Sequence, residues 1–74
     1  MKLSQGLIDM REGKTISRLD DALKRIFYRF VGIKLQFGEW DSHRGKIEWW
    51  MAGYDLRPPT LEDLSATNWE VWRE

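Results

Sequence analysis

Residues 33–51 read IKLQFGEWDSHRGKIEWWM, and apolar side chains occupy every second position in both halves of this stretch. A spacing of two is typical of a β-strand with one buried face. Residues 41–45 between the halves are rich in turn formers. The stretch therefore predicts an antiparallel hairpin. Its predicted core face carries Ile33, Leu35, Phe37, Ile47, Trp49 and Met51.

Residues 4–12 are predicted to form a helix that precedes this sheet. Ser4 is a suitable N-cap, an apolar stripe runs through the segment at helical spacing, and Gly13 can adopt the left-handed conformation after the last turn. Residues 14–18 then alternate with β-branched side chains and predict a short strand.

The C-terminal residues predict a short capped helical turn followed by a strand. The Thr60 hydroxyl can accept a hydrogen bond from the free amide of Asp63, as an N-cap does. Residues 69–73 alternate apolar and polar side chains, which places Trp69 and Val71 on the core face. Residues 54–59 predict a loop, since consecutive prolines cannot donate to a β-ladder.

Residues 19–31 allow two interpretations. Their apolar side chains recur at spacings of three and four, which favours a helix ending at Gly32. The aromatic and β-branched content of residues 26–30 instead favours a strand that follows a loop over residues 20–25. Both interpretations predict one α+β domain over residues 1–74, a small antiparallel β-sheet with one or two helices packed on one face.

Composition excludes several classes of protein. The 74 residues contain no cysteine, so neither a disulfide framework nor a thiolate metal site is possible. Twelve basic residues balance twelve acidic ones, which argues against a nucleic-acid partner. No apolar run approaches the ~20 residues of a membrane span. We expect a cytoplasmic protein with no membrane partner.

Three of the five tryptophans are predicted to lie on the reverse side of the sheet, away from the helices. They are Trp40, Trp50 and Trp72. Three indoles on a solvated face would form a large exposed apolar patch. Another element of the chain, a second copy of the chain or a stacked ligand base would each cover them. Because a small domain gains buried surface by pairing, we expect a homo-oligomer.

Candidate catalytic and metal-binding residues are few. Glu39, Asp41 and His43 alternate, but successive side chains on one strand face are ~6.5–7 Å apart, which is too far for one metal ion without a bend. His43 is the only histidine, and no nucleophile elbow or phosphate-cradling glycine loop occurs. The sequence predicts a protein that is not an enzyme, with no catalytic residue, no metal site and no cofactor.

Both ends of the chain resemble one family. Residues 63–71 read DLSATNWEV, close to the terminal signature Asp-Leu-x-Ala-x-Asp-Trp-Glu-Val of the Thoeris anti-defence two-like family. The helix that ends in Gly13-Lys14, followed by Arg18, is similar to the family's N-terminal pattern. Two positions depart from it: residues 19–21 lack the family's tryptophan after the arginine, and Asn68 replaces an aspartate.

The resemblance implies a small phage counter-defence protein that sequesters a signalling nucleotide of the cyclic ADP-ribose type without cleaving it. It implies that Arg18 contacts a phosphate, that Trp40 or Trp50 walls the site, and that Asp63 and Asn68 form its polar edge. Arg18 is also interpreted as an ion-pair partner of an acidic residue, and Asp63 and Asn68 as cap or turn residues. The alternative function is a small phage inhibitor that binds a host protein through the exposed tryptophan-rich face.

Overall fold

The structure, a computed structural model, describes residues 1–50 and 59–73 and confirms the α+β fold. Its helices are α1 (Leu3–Arg11) and α2 (Leu61–Ser65). Its strands are β1 (Ile16–Leu19), β2 (Arg25–Val31), β3 (Lys34–Asp41), β4 (Lys46–Trp49) and β5 (Glu70–Val71). These strands form one antiparallel sheet in the order β4-β3-β2-β1-β5. Within the described residues, no helix is long and apolar enough to cross a membrane.

Helix α1 begins one residue earlier than predicted, so Ser4 is not its cap. Lys2 holds the cap position, and its amide donates to the Gln5 side chain at 2.8 Å. Gly13 follows the helix at φ +87°, as predicted. Gly6 faces β1, where an added Cβ would lie 2.7 Å from Cδ1 of Ile16. This missing side chain lets α1 lie close against the sheet.

Residues 25–31 form the central strand β2, so the helical interpretation of residues 19–31 is wrong and the loop-and-strand interpretation is confirmed. Strand β2 pairs with β1 on one side and β3 on the other. Asp20 closes the preceding turn by accepting the amides of Ala22 and Lys24 on Oδ1. Buried apolar side chains occur on both faces of β2, Ile26 and Tyr28 on one and Phe27 between two arginines on the other, which explains the misleading spacing in the sequence.

The main core lies between the helices and one face of the sheet. It contains Leu3, Met10, Ile16, Ile26, Tyr28, Phe37 and Trp69, with Leu35 packed beside them. Val71 pairs with Ile16 in the sheet, so it shares this face. The predicted core positions 35, 37, 69 and 71 are therefore confirmed. Ile33 is a correction: it lies in the β2–β3 turn after Gly32 (φ +62°) and is 98% exposed.

The predicted phase of β4 is wrong by one residue. Trp49 lies opposite Gly38, and Ile47 lies opposite Trp40. Ile47 and Trp49 therefore share the reverse face with Trp40, and alternation assigns Trp50 to the helix side. Two adjacent tryptophans give the period of a strand but not its phase. Met51 and positions 54–58 of the predicted loop lie outside the described residues.

Candidate functional site

A continuous aromatic row crosses the reverse face of the sheet. Trp40 and Trp72 have ring centroids 6.0 Å apart, Trp72 and Phe27 are 5.0 Å apart, and Phe27 and Trp49 are 6.1 Å apart. Phe27 is fully buried between the two indoles and meets each of them edge to face. Such pairs contribute about 0.5–1.5 kcal/mol beyond the area they bury. We call these four residues the indole row.

A glycine on β3 makes room for the indole row. A Cβ at Gly38 would lie 2.7 Å from the ring of Trp49 and 2.8 Å from the side chain of Ile47. Atoms do not approach that closely, so any side chain at residue 38 would displace both neighbours. Gly38 therefore lets β4 bring its apolar side chains flat against the reverse face.

Two arginines of β2 stack on the indole row. The guanidinium of Arg29 lies 3.8 Å from the ring centroid of Trp49, and that of Arg25 lies 5.5 Å from the centroid of Trp72. Arg25 also forms an ion pair with Glu70 at 3.0 Å. These cation–π contacts place positive charge directly on the aromatic surface.

A groove of about 540 Å³ lies against the three tryptophans of the indole row. Its lining combines aromatic, aliphatic and basic side chains. The residues are Trp40, Gly45, Lys46, Ile47, Trp49, Trp72 and Arg73. Trp40 is 42% exposed, while Trp49 and Trp72 are half-buried. We call this the indole groove, and its chemistry suits a ligand that is both aromatic and anionic.

The predicted ligand residues Arg18 and Asp63 form a buried ion pair. Arg18 Nη2 donates to Asp63 Oδ1 at 2.7 Å, and the two side chains are 4% and 0% exposed. Arg18 Nη1 donates to the Leu19 carbonyl at 3.1 Å, and its Nε has no hydrogen-bond partner in the structure. The guanidinium also lies 5.4 Å from the ring centroid of Trp69. The ion-pair interpretation of Arg18 is thus confirmed.

Asp63 connects α2 to the rest of the molecule. Its Oδ2 accepts the Thr60 amide at 2.9 Å, and its own amide donates to the Thr60 hydroxyl at 3.1 Å, as the predicted cap requires. Its main-chain carbonyl accepts the indole N–H of Trp69 at 2.8 Å. The tyrosine hydroxyl of Tyr28 lies 3.5 Å from Oδ2. The carboxylate of Asp63 therefore connects α2 to the sheet, and its main-chain carbonyl connects α2 to the C-terminal segment.

The five predicted ligand residues separate into three places. Asn68 Nδ2 donates to the Leu19 carbonyl that also accepts Arg18, so Arg18, Asp63 and Asn68 lie together. Trp40 lies on the reverse face, and Trp50 follows β4 at 44% exposure. The structure does not bring all five into one pocket of a single chain. Ligand contact by each of them stays a prediction.

Arg18 and Asn68 line a shallow recess of about 380 Å³ with two carboxylates, Asp21 and Glu62. A side-chain hydrogen bond with Asp21, followed by the negative charge of Asp21, raises the pKa of Glu62 above its ordinary value of 4.5. The positive charge of Arg18 acts in the opposite direction. The recess thus surrounds the buried ion pair with excess acid, which does not favour a phosphate there.

Glu62→Gln is expected to flatten the pH dependence of stability in the acidic range. Because the folded state raises the pKa of Glu62, the native protein binds more protons than the unfolded chain, and stability falls as pH rises from 4.5 through the raised value. The amide removes this loss. Urea unfolding at pH 4 and pH 7 measures it, with Glu48→Gln as the exposed control. If wild type and Glu62→Gln differ in free energy of unfolding by the same amount at both pH values, the interaction of Glu62 with Asp21 does not affect stability as expected.

The alternating residues near the β3–β4 turn have structural roles. Asp41 Oδ1 accepts the amides of His43 at 2.9 Å and Arg44 at 3.2 Å, which closes the turn. Over residues 1–50 and 59–73, no group of three or more histidine, cysteine, aspartate or glutamate side chains is placed to hold a metal ion.

Sequence reasoning missed the two stacked arginines and the place of Arg73 at the rim of the groove. Arg25, Phe27 and Arg29 alternate, and they share a face once residues 25–31 are a strand. The helical interpretation hid that signal. Arg73 joins the groove through the position of β5, which no local pattern specifies, and Lys46 joins it as the first residue of β4.

Fold and site together define a small α+β protein with an aromatic, basic groove on the reverse face of its sheet. No family model matches the chain, and no curated protein or solved structure does either.

Proposed function

We propose that this protein binds a small signalling nucleotide in the indole groove and sequesters it without cleavage, as a phage-type counter-defence protein in the host cytoplasm. The observation that carries the proposal is the meeting of three tryptophans and two basic residues in one groove of about 540 Å³. The resemblance of both chain ends to the Thoeris anti-defence two-like family supports a cyclic ADP-ribose-type ligand. Sequestration requires affinity and no turnover.

The groove offers separate partners for the two halves of a nucleotide. A base stacked on an indole gains about 1–3 kcal/mol, and Trp40 presents the most open ring of the indole row. Lys46 and Arg73 line the same groove and would bind phosphate oxygens. The volume lies in the usual range of small-molecule sites, about 300–1,000 Å³.

Arg18, Asp63 and Asn68 take a supporting part in this proposal. Arg18 is paired and 4% exposed, so its charge is already neutralised where the resemblance places a phosphate contact. Its pair with Asp63 anchors α2, and the chain then continues to Trp72, which lines the groove. The Trp72 amide donates to the Thr15 carbonyl at 2.8 Å and fixes that end.

Isothermal titration calorimetry with cyclic ADP-ribose isomers and related cyclic nucleotides tests the proposal. We expect saturable binding of at least one ligand, weakened about tenfold or more by Trp40→Ala, since stacking contributes about 1–3 kcal/mol per base. Trp50→Ala serves as the matched indole variant, because Trp50 lies outside the groove. Flat heats across the panel at tens of micromolar protein would remove the proposal.

The alternative is an inhibitor that binds a host protein through the same face. The observation that favours it on that face is Trp40, which is 42% exposed; Trp50 and Ile33, which are 44% and 98% exposed, add apolar surface outside the reverse face. Exposed tryptophans are common binding hot spots. A monomer by light scattering, with tryptophan emission quenched by acrylamide and no nucleotide heat, would favour this alternative.

Self-association also remains a proposal. Trp72 already packs against Phe27 and Trp40 within its own chain, so of the three tryptophans predicted to be exposed, Trp40 and Trp50 keep the large exposed area that pairing would bury. A dimer whose tryptophans are protected from acrylamide would support a homo-oligomer that completes the groove.

A further inference from the structure

The three arginines of β1 and β2 differ in how their charges are balanced. Arg18 pairs with Asp63 at 2.7 Å, and Arg25 pairs with Glu70 at 3.0 Å. Arg29 instead donates from Nε to the neutral side chain of Gln36 at 2.7 Å. Among residues 1–50 and 59–73, no carboxylate forms a salt bridge with Arg29. Within those residues its positive charge is therefore not paired with a carboxylate.

The guanidinium of Arg29 is held in a fixed orientation. Its plane lies over Trp49 with 3.8 Å between Cζ and the ring centroid, and its Nε is bound by Gln36. Gln36 is in turn oriented, because its Nε2 donates to the Trp50 carbonyl at 2.9 Å. This amide leaves only its carbonyl oxygen for Arg29. Arg29 is half-buried, and both the ring of Trp49 and the side chain of Gln36 already hold its guanidinium. Such an arginine loses little side-chain entropy when it binds a ligand.

In the part of the chain that the structure describes, the two terminal nitrogens of Arg29 form no hydrogen bond or salt bridge. They carry four N–H groups, which match the spacing of two oxygens of one phosphate group. A cation stacked on an indole keeps its charge, while the ring shields one side of it from water. The geometry thus contains the features of an oxyanion site: a fixed fork, an unpaired charge and a partly dry surface.

We infer that Arg29 binds a phosphate group, with Trp49 and Gln36 positioning its guanidinium. The inference rests on the proposed function and extends it: Trp49 both lies under Arg29 and lines the indole groove, so the anion bound there belongs next to the groove. The ligand therefore carries a phosphate on Arg29 in addition to the one at the groove's basic rim. Arg29 would thus make the phosphate contact that the family resemblance implies for Arg18.

The experiment is a titration with inorganic pyrophosphate at low ionic strength, followed by the NMR signals of Arg29 Nε–H and the indole N–H of Trp49. We expect both signals to move together and to saturate. Arg29→Gln should weaken pyrophosphate binding about tenfold or more, because charge-assisted hydrogen bonds to a fixed fork are lost. Arg11→Gln makes the same charge change on an exposed helix residue and should leave binding unchanged.

Gln36→Glu tests the same site without removing the arginine. The new carboxylate would pair with the Arg29 guanidinium in place, so pyrophosphate binding should fall as far as in Arg29→Gln while the stack on Trp49 persists. Equal circular dichroism and urea unfolding midpoints for this variant and the wild type would show that the fold is retained. Lysine in place of Arg29 should recover only part of the affinity, since it keeps the charge but not the planar fork.

The outcomes separate this inference from the proposed function. Adenosine, which has no phosphate, reports on the groove alone through quenching of tryptophan emission. Adenosine binding together with pyrophosphate affinity that is the same in wild type and Arg29→Gln overturns the Arg29 site and leaves the groove. The Arg29 site is also overturned if Arg11→Gln loses as much pyrophosphate affinity as Arg29→Gln does, or if acetate binds more tightly than pyrophosphate. Pyrophosphate binding that depends on Arg29, with flat nucleotide heats, overturns the proposed function instead.

Discussion

Asp63→Ala is expected to lower the free energy of unfolding by about 3–5 kcal/mol, the cost of removing one partner from a buried ion pair. The variant leaves the charge of Arg18 buried at 4% exposure, and it also removes the acceptor of the Thr60 amide. A chain of this length has a total stability of about 4–11 kcal/mol. Urea unfolding followed by circular dichroism measures the loss.

The double variant Arg18→Met with Asp63→Leu separates two costs: the unpaired buried charge of Arg18 and the lost cap of α2. Apolar replacement of both partners of a buried pair is often neutral or stabilising, so most of the loss should be recovered. The cap on α2 would stay broken and cost about 1 kcal/mol. If Asp63→Ala costs no more than this cap alone, the pair with Arg18 does not hold the C-terminal segment to the sheet.

The fold could be predicted where local pattern and tertiary position agree. Thr60 and Asp63 form the cap that their spacing indicates, and Gly13 takes the left-handed conformation that ends α1. The sequence pattern of residues 25–31 was misleading because Phe27, a buried aromatic residue, lies on the otherwise polar face of β2 and interrupts the alternation of apolar and polar side chains. Only the pairing of β2 with β1 and β3 decides that segment.

The candidate site could be predicted in part. The reverse-face positions of Trp40 and Trp72 follow from alternation, and the structure places their rings in contact. The groove also needs Trp49, whose face depends on its register opposite Gly38 rather than on its own sequence neighbours. Arg18 matched a short pattern shared with a family, but its burial beside Asp63 arises from a contact 45 residues away, which no local spacing contains.

The reverse face of the sheet forms a second, smaller core, and Phe27 is its centre. Phe27 is fully buried, although it points away from both helices. Trp49 and Trp72 cover it from β4 and from the residue after β5, each in an edge-to-face contact. The three segments that bring these rings together are far apart in sequence. A single side chain therefore links the stability of the sheet to the shape of the groove.

Phe27→Ala is expected to cost about 3–5 kcal/mol, the usual loss for a buried phenylalanine that leaves a cavity. Trp49 and Trp72 would lose their shared support, so tryptophan emission should shift to longer wavelength and nucleotide binding in the groove should weaken. Urea unfolding and fluorescence measure the two effects. Leu61→Ala, at a side chain that is 79% exposed, is the control and should change stability by less than about 0.5 kcal/mol.

A stability loss below about 1 kcal/mol in Phe27→Ala would contradict a second core on the reverse face. Phe27→Leu refines the test, because it keeps most of the apolar volume and removes the ring edges that meet the indoles. We expect this variant to retain more stability than the alanine variant and still to loosen the groove. If Phe27→Leu binds the nucleotide as well as the wild type does, the groove depends on filled volume beneath the indoles and not on the edge-to-face packing of Phe27.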